Sequence, residues 1–120
     1  MNRGHHDLVV WRESVELAKY IYELTANYPK EENFGLISQA RRAAVSISAN
    51  IAEGAARSYK KEFLQFLMIA RGSLSELETL IIISSKVGYI GQEQEIEAMD
   101  KIDHIGGLLN GLITSVRAKT

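Results

Sequence analysis

Cysteine is absent from the 120-residue chain, and proline occurs once, at Pro29. The first absence excludes disulfides and thiolate metal sites and gives no sign of an oxidising compartment. The second leaves long stretches without the residue that most firmly ends a helix. Long apolar runs are missing as well. A run such as Leu80 to Ile83 is far too short to span a bilayer, and the opening MNRGHHDLVVWRE has no apolar stretch before a cleavage site. A soluble cytoplasmic protein with no membrane partner is therefore expected. Neither sign of charge dominates, because the formal net charge is −1. Affinity for nucleic acid must then come from an uneven distribution of charge rather than from an overall excess.

The sequence is equally poor in the constellations that carry chemistry. Phosphate loops of the G-x-G-x-x-G or G-x-x-x-x-G-K-[ST] type do not occur, and neither does the Glu-x-x-His pair of di-iron bundles. Only three histidines are present, two of them adjacent at His5 and His6. A nucleophile, base and orienting group cannot be assembled from them. His104 has Asp100 and Asp103 nearby, but one histidine beside two carboxylates is a weak metal signal. No catalytic residues, no metal and no cofactor are expected, and the chain is read as a non-enzyme.

What the sequence has is helical periodicity. Hydrophobic residues make up 46% and charged residues 24%, as in an ordinary globular protein, and the length suits one domain over residues 1–120. Helices are expected near 8–27, 34–56, 59–87 and 93–117. Trp11, Val15, Ala18, Tyr22 and Thr25 recur in steps of three and four in the first, joined by Leu17, Ile21 and Leu24. Ile37, Ala40, Ala44, Ile47 and Ile51 do so in the second, and Phe63, Leu67, Ala70, Leu74, Leu77 and Ile81 in the third. Ile102, Ile105, Leu109, Leu112 and Val116 complete the pattern. Asp7 and Ser58 are candidate N-caps, and Gly88 stands where a left-handed residue is usually needed. Short connections force neighbouring helices antiparallel, which predicts an all-α, up-down-up-down four-helix bundle.

Two polar features stand out from this frame. Arg42, Ser46, Asn50 and Glu53 share one face of the second helix among small residues. If the second and third helices form a hairpin, Arg42 falls near Glu76, and a structural network with an Arg42–Glu76 ion pair is expected. The glycines Gly106, Gly107 and Gly111 lie inside the fourth helix, where they permit close contact between helices or subunits.

Charge, moreover, segregates along the bundle. Up-down order gathers residues 1–13, 53–62 and 117–120 at one end, with Arg3, Arg12, Arg57, Lys60, Lys61, Arg117 and Lys119 giving a local charge of +3. Residues 28–36 and 84–97 form the other end, at −3. Lys60 and Lys61 occupy a helix start, where cations are disfavoured and anions are welcome. The basic end is therefore the candidate nucleic-acid surface, with Phe63 and Phe66 as possible stacking platforms.

The segments LISQARRAAVSISANIAEGAAR, from Leu36 to Arg57, and EFLQFLMIARGSLSELET, from Glu62 to Thr79, closely resemble those of the 23S rRNA intervening-sequence proteins. Weaker agreement runs through DLVVWRESVELAKYIYEL, from Asp7 to Leu24. The resemblance implies a conical homopentamer of four-helix bundles. The accessory variability protein of diversity-generating retroelements is similar to this family, and it implies contacts with nucleic acid and a reverse transcriptase through a basic surface. The expected function is thus a homo-oligomer whose basic end contacts RNA or DNA backbone. The alternative is an adaptor for a protein partner such as a polymerase, and an enzyme or metal carrier ranks third.

Overall fold

A computed structural model describes residues 4–119, with His6 and Asp7 described by backbone alone. Four helices form: α1 (Val9–Thr25), α2 (Leu36–Ala55), α3 (Lys60–Lys86) and α4 (Gln92–Ala118). Single turns of 3-10 helix at Gly4–Asp7 and Lys30–Glu32 precede α1 and α2, and no strand occurs among the described residues. None of the helices is long and apolar enough to cross a membrane. Cross-helix contacts fix the direction of each neighbour. Arg41 of α2 reaches Tyr22 and Thr25 of α1, and Ser46 meets Ser73 of α3. Ser85 of α3 meets Glu95, and His104 of α4 meets Glu13 of α1. Lys60 pairs with Arg117, Arg71 with Asn110 and Ser85 with Glu95 across α3 and α4, and Gly54 lies beside Phe66 with Ser46 at Ser73 across α2 and α3. Rising numbers on one helix thus meet falling numbers on the next, so the bundle is antiparallel in up-down-up-down order.

The expected core rows of α2, α3 and α4 face inward. Ile47, Ile51, Leu67, Leu77, Ile81 and Leu109 are fully buried, each contributing about 1.5–3 kcal/mol by leaving water. In α1 the expectation needs correcting. The buried row is Val10, Ser14, Leu17, Ile21, Leu24 and Thr25, whereas Val15 and Tyr22 remain 39% and 46% exposed. The apolar stripe of this helix is two rows wide, and the row interrupted by Ser14 is the one that faces the core. The Ser14 hydroxyl is buried without a hydrogen-bond partner, which explains why composition favoured the other row.

Helix starts also differ from expectation. Leu8 and Tyr59 occupy the N-cap positions of α1 and α3, and neither supplies a side-chain cap. Asp7 belongs to the preceding 3-10 turn, and Ser58 falls one residue short of the extended N-cap of α3. Longer side chains cap the other two helices. Glu32 Oε1 accepts the Leu36 N–H at 3.0 Å, and Gln94 Oε1 accepts the Gly91 N–H at 2.9 Å. At the end of α3, Gly88 takes φ +86°. Its N–H and that of Tyr89 bond to Ser85 O and Ser84 O, a Schellman closure of the expected kind.

At Gly54, α2 lies close against α3. A Cβ added at Gly54 would lie 2.8 Å from Phe66 Cβ and 3.2 Å from the Phe63 carbonyl oxygen. Exposed Gly72 of α3 would meet nothing within 4 Å. Gly54→Ala is therefore expected to lower stability by about 1–3 kcal/mol through overpacking. Gly72→Ala should raise it by about 0.5–1 kcal/mol through helix propensity. Urea unfolding at unchanged slope measures both, and equal effects of the two substitutions would contradict the close-approach assignment.

Glu32 provides a pH signature. The Leu36 N–H first, and the Tyr89 hydroxyl at 2.8 Å second, hold its carboxyl below the ordinary value of 4.5. A carboxyl lowered on folding contributes stability that is complete above its unfolded value and is lost as pH falls through the folded one. The acid limb of unfolding, beginning below about pH 4.5, should flatten in Glu32→Gln. An identical limb in both proteins would remove Glu32 from the acid response.

Candidate nucleic-acid interface

The antiparallel order brings the α2–α3 turn against the last turn of α4. Lys60, the first residue of α3, donates from Nζ to the carbonyl of Arg117 at 3.2 Å and to that of Lys119. These carbonyls lack intrahelical donors and carry the negative pole of α4, so a cation there is favoured. The same ammonium that is disfavoured at the start of α3 is thus compensated by the end of its neighbour. Arg57 is engaged as well. Its Nη2 lies 2.6 Å from Glu53 Oε1, and its guanidinium sits 4.9 Å from the centre of the Phe66 ring.

The remaining expected cations divide three ways. Lys61, Arg117 and Lys119 are exposed, and no ion pair involves them among the described residues. Arg12 is exposed on the first turn of α1. Arg3 lies outside the described residues. The 3-10 turn at Gly4–Asp7 packs against both α1 and α2, with the His5 ring edge-on to Trp11 at 4.9 Å.

Between the α2–α3 turn and the end of α4 runs a groove of about 300 Å³. Tyr59, Phe63 and Val116 line it, and Arg57, Lys60 and Lys119 stand around it. Tyr59 is 71% exposed, whereas Phe63 is half-buried against the core. The exposed aromatic ring at this groove is therefore Tyr59, whereas the Phe66 ring is covered by Arg57. The alternation of Ser58-Tyr59-Lys60-Lys61 was the available signal, an aromatic residue set directly beside two cations.

The polar stripe of α2 forms only in part. Ser46 Oγ and Ser73 Oγ are 2.8 Å apart, and Asn50 Nδ2 donates to Ser46 O and Ser46 Oγ at 2.8 and 2.9 Å. Glu53 joins Arg57 instead of this network. The expected Arg42–Glu76 pair is absent among the described residues, and both side chains are exposed. The pairing at Ser46 and Ser73 puts Arg42 opposite Leu77 rather than Glu76, and both Arg42 and Glu76 lie on the outer surface. Arg41 is the arginine that ties helices together. Its Nε donates to Thr25 Oγ1 at 3.0 Å, its Nη2 donates to Tyr22 O at 3.2 Å, and its guanidinium covers the Tyr22 ring at 4.5 Å.

At the opposite end, Tyr89 of the α3–α4 turn bonds to Glu32, and its ring packs against Tyr28 at 5.4 Å. Glu31, Glu93 and Glu97 are exposed there. The molecule measures 48 Å along its longest axis, several times the ~8 Å Debye length of physiological salt. The two poles therefore act independently on a charged partner. His104 faces Glu13 at 3.3 Å, and no group of three His, Asp or Glu among the described residues is arranged to hold a metal.

Residues 6–111 match a family model described as 23S rRNA-intervening sequence protein. Among solved structures, a protein of unknown function from the S23 ribosomal protein family of Bacteroides thetaiotaomicron has the same fold, with a TM-score of 0.78 and 29% sequence identity. The alignment covers 88% of this chain and 98% of that one. No curated protein matches the chain.

The Lys60 contact has a measurable consequence. Lys60→Met removes the cation from the carbonyl end of α4, an exposed interaction of about 0.3–1 kcal/mol. Amide exchange should then accelerate over residues 113–118 and remain unchanged in α1. Uniform acceleration across all four helices, or none, would contradict a local role.

Proposed function

Since the chain belongs to the 23S rRNA-intervening sequence protein family, we propose that it is a non-enzymatic homo-oligomer that attaches to RNA through its basic tip. The observation that carries this reading is the contact of Lys60 with the Arg117 and Lys119 carbonyls, which draws cationic segments far apart in sequence around one groove. Phosphate oxygens are the complement of such a surface. The N-cap of α3 makes no side-chain bond, so the first amides of α3 add donors to the cations. The family description, which ties relatives to intervening sequences of 23S rRNA, points to RNA ahead of DNA. Backbone contact of this type carries little sequence specificity.

Two features support association of copies. Val15 and Tyr22 on α1 and Val45 on α2 are exposed around the Arg41 contact. Gly107 and Gly111 of α4 would meet nothing within 4 Å if they carried a Cβ. Contacts within the chain do not require them, which leaves the contact between subunits of the two roles open to them. Five subunits, as the resemblance implies, would set several basic tips side by side and multiply the local field.

Lys61, Arg117 and Lys119 are the cations to reverse, because Arg57 and Lys60 also hold the fold together at this end. Their combined replacement by Glu should weaken single-stranded RNA binding strongly. It should also reduce the slope of log affinity against log salt by about 2, for three lost phosphate contacts. Light scattering on the same proteins should give about five copies of the 13.4 kDa chain. RNA affinity and salt slope unchanged by the triple reversal would overturn the proposed surface.

A further inference from the structure

We infer that the groove between the α2–α3 turn and the end of α4 receives an unpaired nucleobase of single-stranded RNA, stacked on Tyr59. The inference rests on the proposed RNA attachment and goes beyond it, since backbone contact alone needs cations but no groove.

Three observations converge on this occupant. Tyr59 leaves 71% of its surface in solvent at the N-cap of α3, where its ring contributes nothing to capping. A ring exposed in this way has a free face on which another planar group can stack. Beside it the groove has an apolar lining from Phe63 and Val116, and its volume of about 300 Å³ falls at the lower end of the range for small planar ligands. The rim carries positive charge from Lys60 and Lys119, and exposed Lys61 follows in the first turn of α3.

An aromatic platform under a cationic rim is the arrangement that binds single strands. The base stacks, and the flanking phosphates pair with the cations. A protein side chain entering the same groove would have to bring acidic neighbours to satisfy this rim. A duplex keeps its bases stacked inside and offers none to Tyr59. The engagement of Lys60 and Arg57 fits the same role, because each holds one wall of the groove. Lys60 ties α3 to the end of α4, and Arg57 covers Phe66 and ties back to Glu53.

The test compares a labelled ten-nucleotide oligouridine with an abasic oligomer of equal length and charge, by fluorescence anisotropy at low salt. Oligouridine should bind about tenfold more tightly, the scale of one base–aromatic stack. Tyr59→Ala should erase that difference while leaving the abasic affinity and the helical circular dichroism unchanged, and Tyr59→Phe should preserve it. Equal affinity of the two oligomers for the native protein would overturn the base pocket while leaving backbone attachment standing. Binding of neither would overturn both. A Tyr59→Ala protein with altered self-association and unaltered oligouridine affinity would assign the groove to a protein contact and overturn the inference.

Discussion

The close approach of α2 and α3 at Gly54 sets the positions of the residues at the basic end. No side chain is tolerated there, because the Phe63 backbone and Phe66 Cβ occupy the space a Cβ would need. Away from the turn, Ala40, Ala43 and Ala44 of α2 and Ala70 of α3 are buried, and Ser46 and Ser73 meet across the α2–α3 seam. Small residues on both helices allow close contact along a long interface, and the Ser46–Ser73 pair fixes its register. The connection between Ala55 and Lys60 is short, and its residues are exposed. Tyr59 then starts α3 beside the end of α4, and Lys60 can reach the α4 carbonyls.

Those contacts divide the cations of this end into two groups. Lys60 and Arg57 neutralise features of the protein itself, a helix C-terminus and a carboxylate. Lys61, Arg117 and Lys119 have no such partner among the described residues. The local charge of a terminus is therefore a poor measure of what it offers a polyanion. A chain with net charge −1 can still present a concentrated cationic tip, because the carboxylates that balance it are carried at the other end of a molecule 48 Å long and are screened from it at physiological salt.

Helix count, order and most of the core were legible in the sequence because their signal is redundant. In α2 and α3 the inward rows are the only long apolar rows, so Ile47 and Leu67 had no competing assignment. In α1 two rows compete, and the polar Ser14 pointed away from the correct one. The caps were misread because α1 and α3 start without any side-chain cap, at Leu8 and Tyr59, while the capping side chains, Glu32 and Gln94, serve α2 and α4. Short Asp or Ser side chains at the cap itself are not used. The Arg42–Glu76 pairing failed because the observed register is one residue off the one that would pair them and both side chains lie on the outer surface, while Arg41 next door takes the interhelical role. Gly88 was legible because its positive φ is a requirement few other residues meet. The groove at Tyr59 was not, since it arises from the meeting of α3 and α4, and at the start of α3 only the aromatic Tyr59 beside Lys60 and Lys61 points to it.

Hydrogen-exchange footprinting of the native protein with single-stranded RNA tests the basic-tip account most directly. The account predicts slowed exchange confined to the α2–α3 turn, the first turn of α3 and the last two turns of α4. Protection centred instead on residues 28–36 and 87–97, or none at saturating RNA, would contradict it.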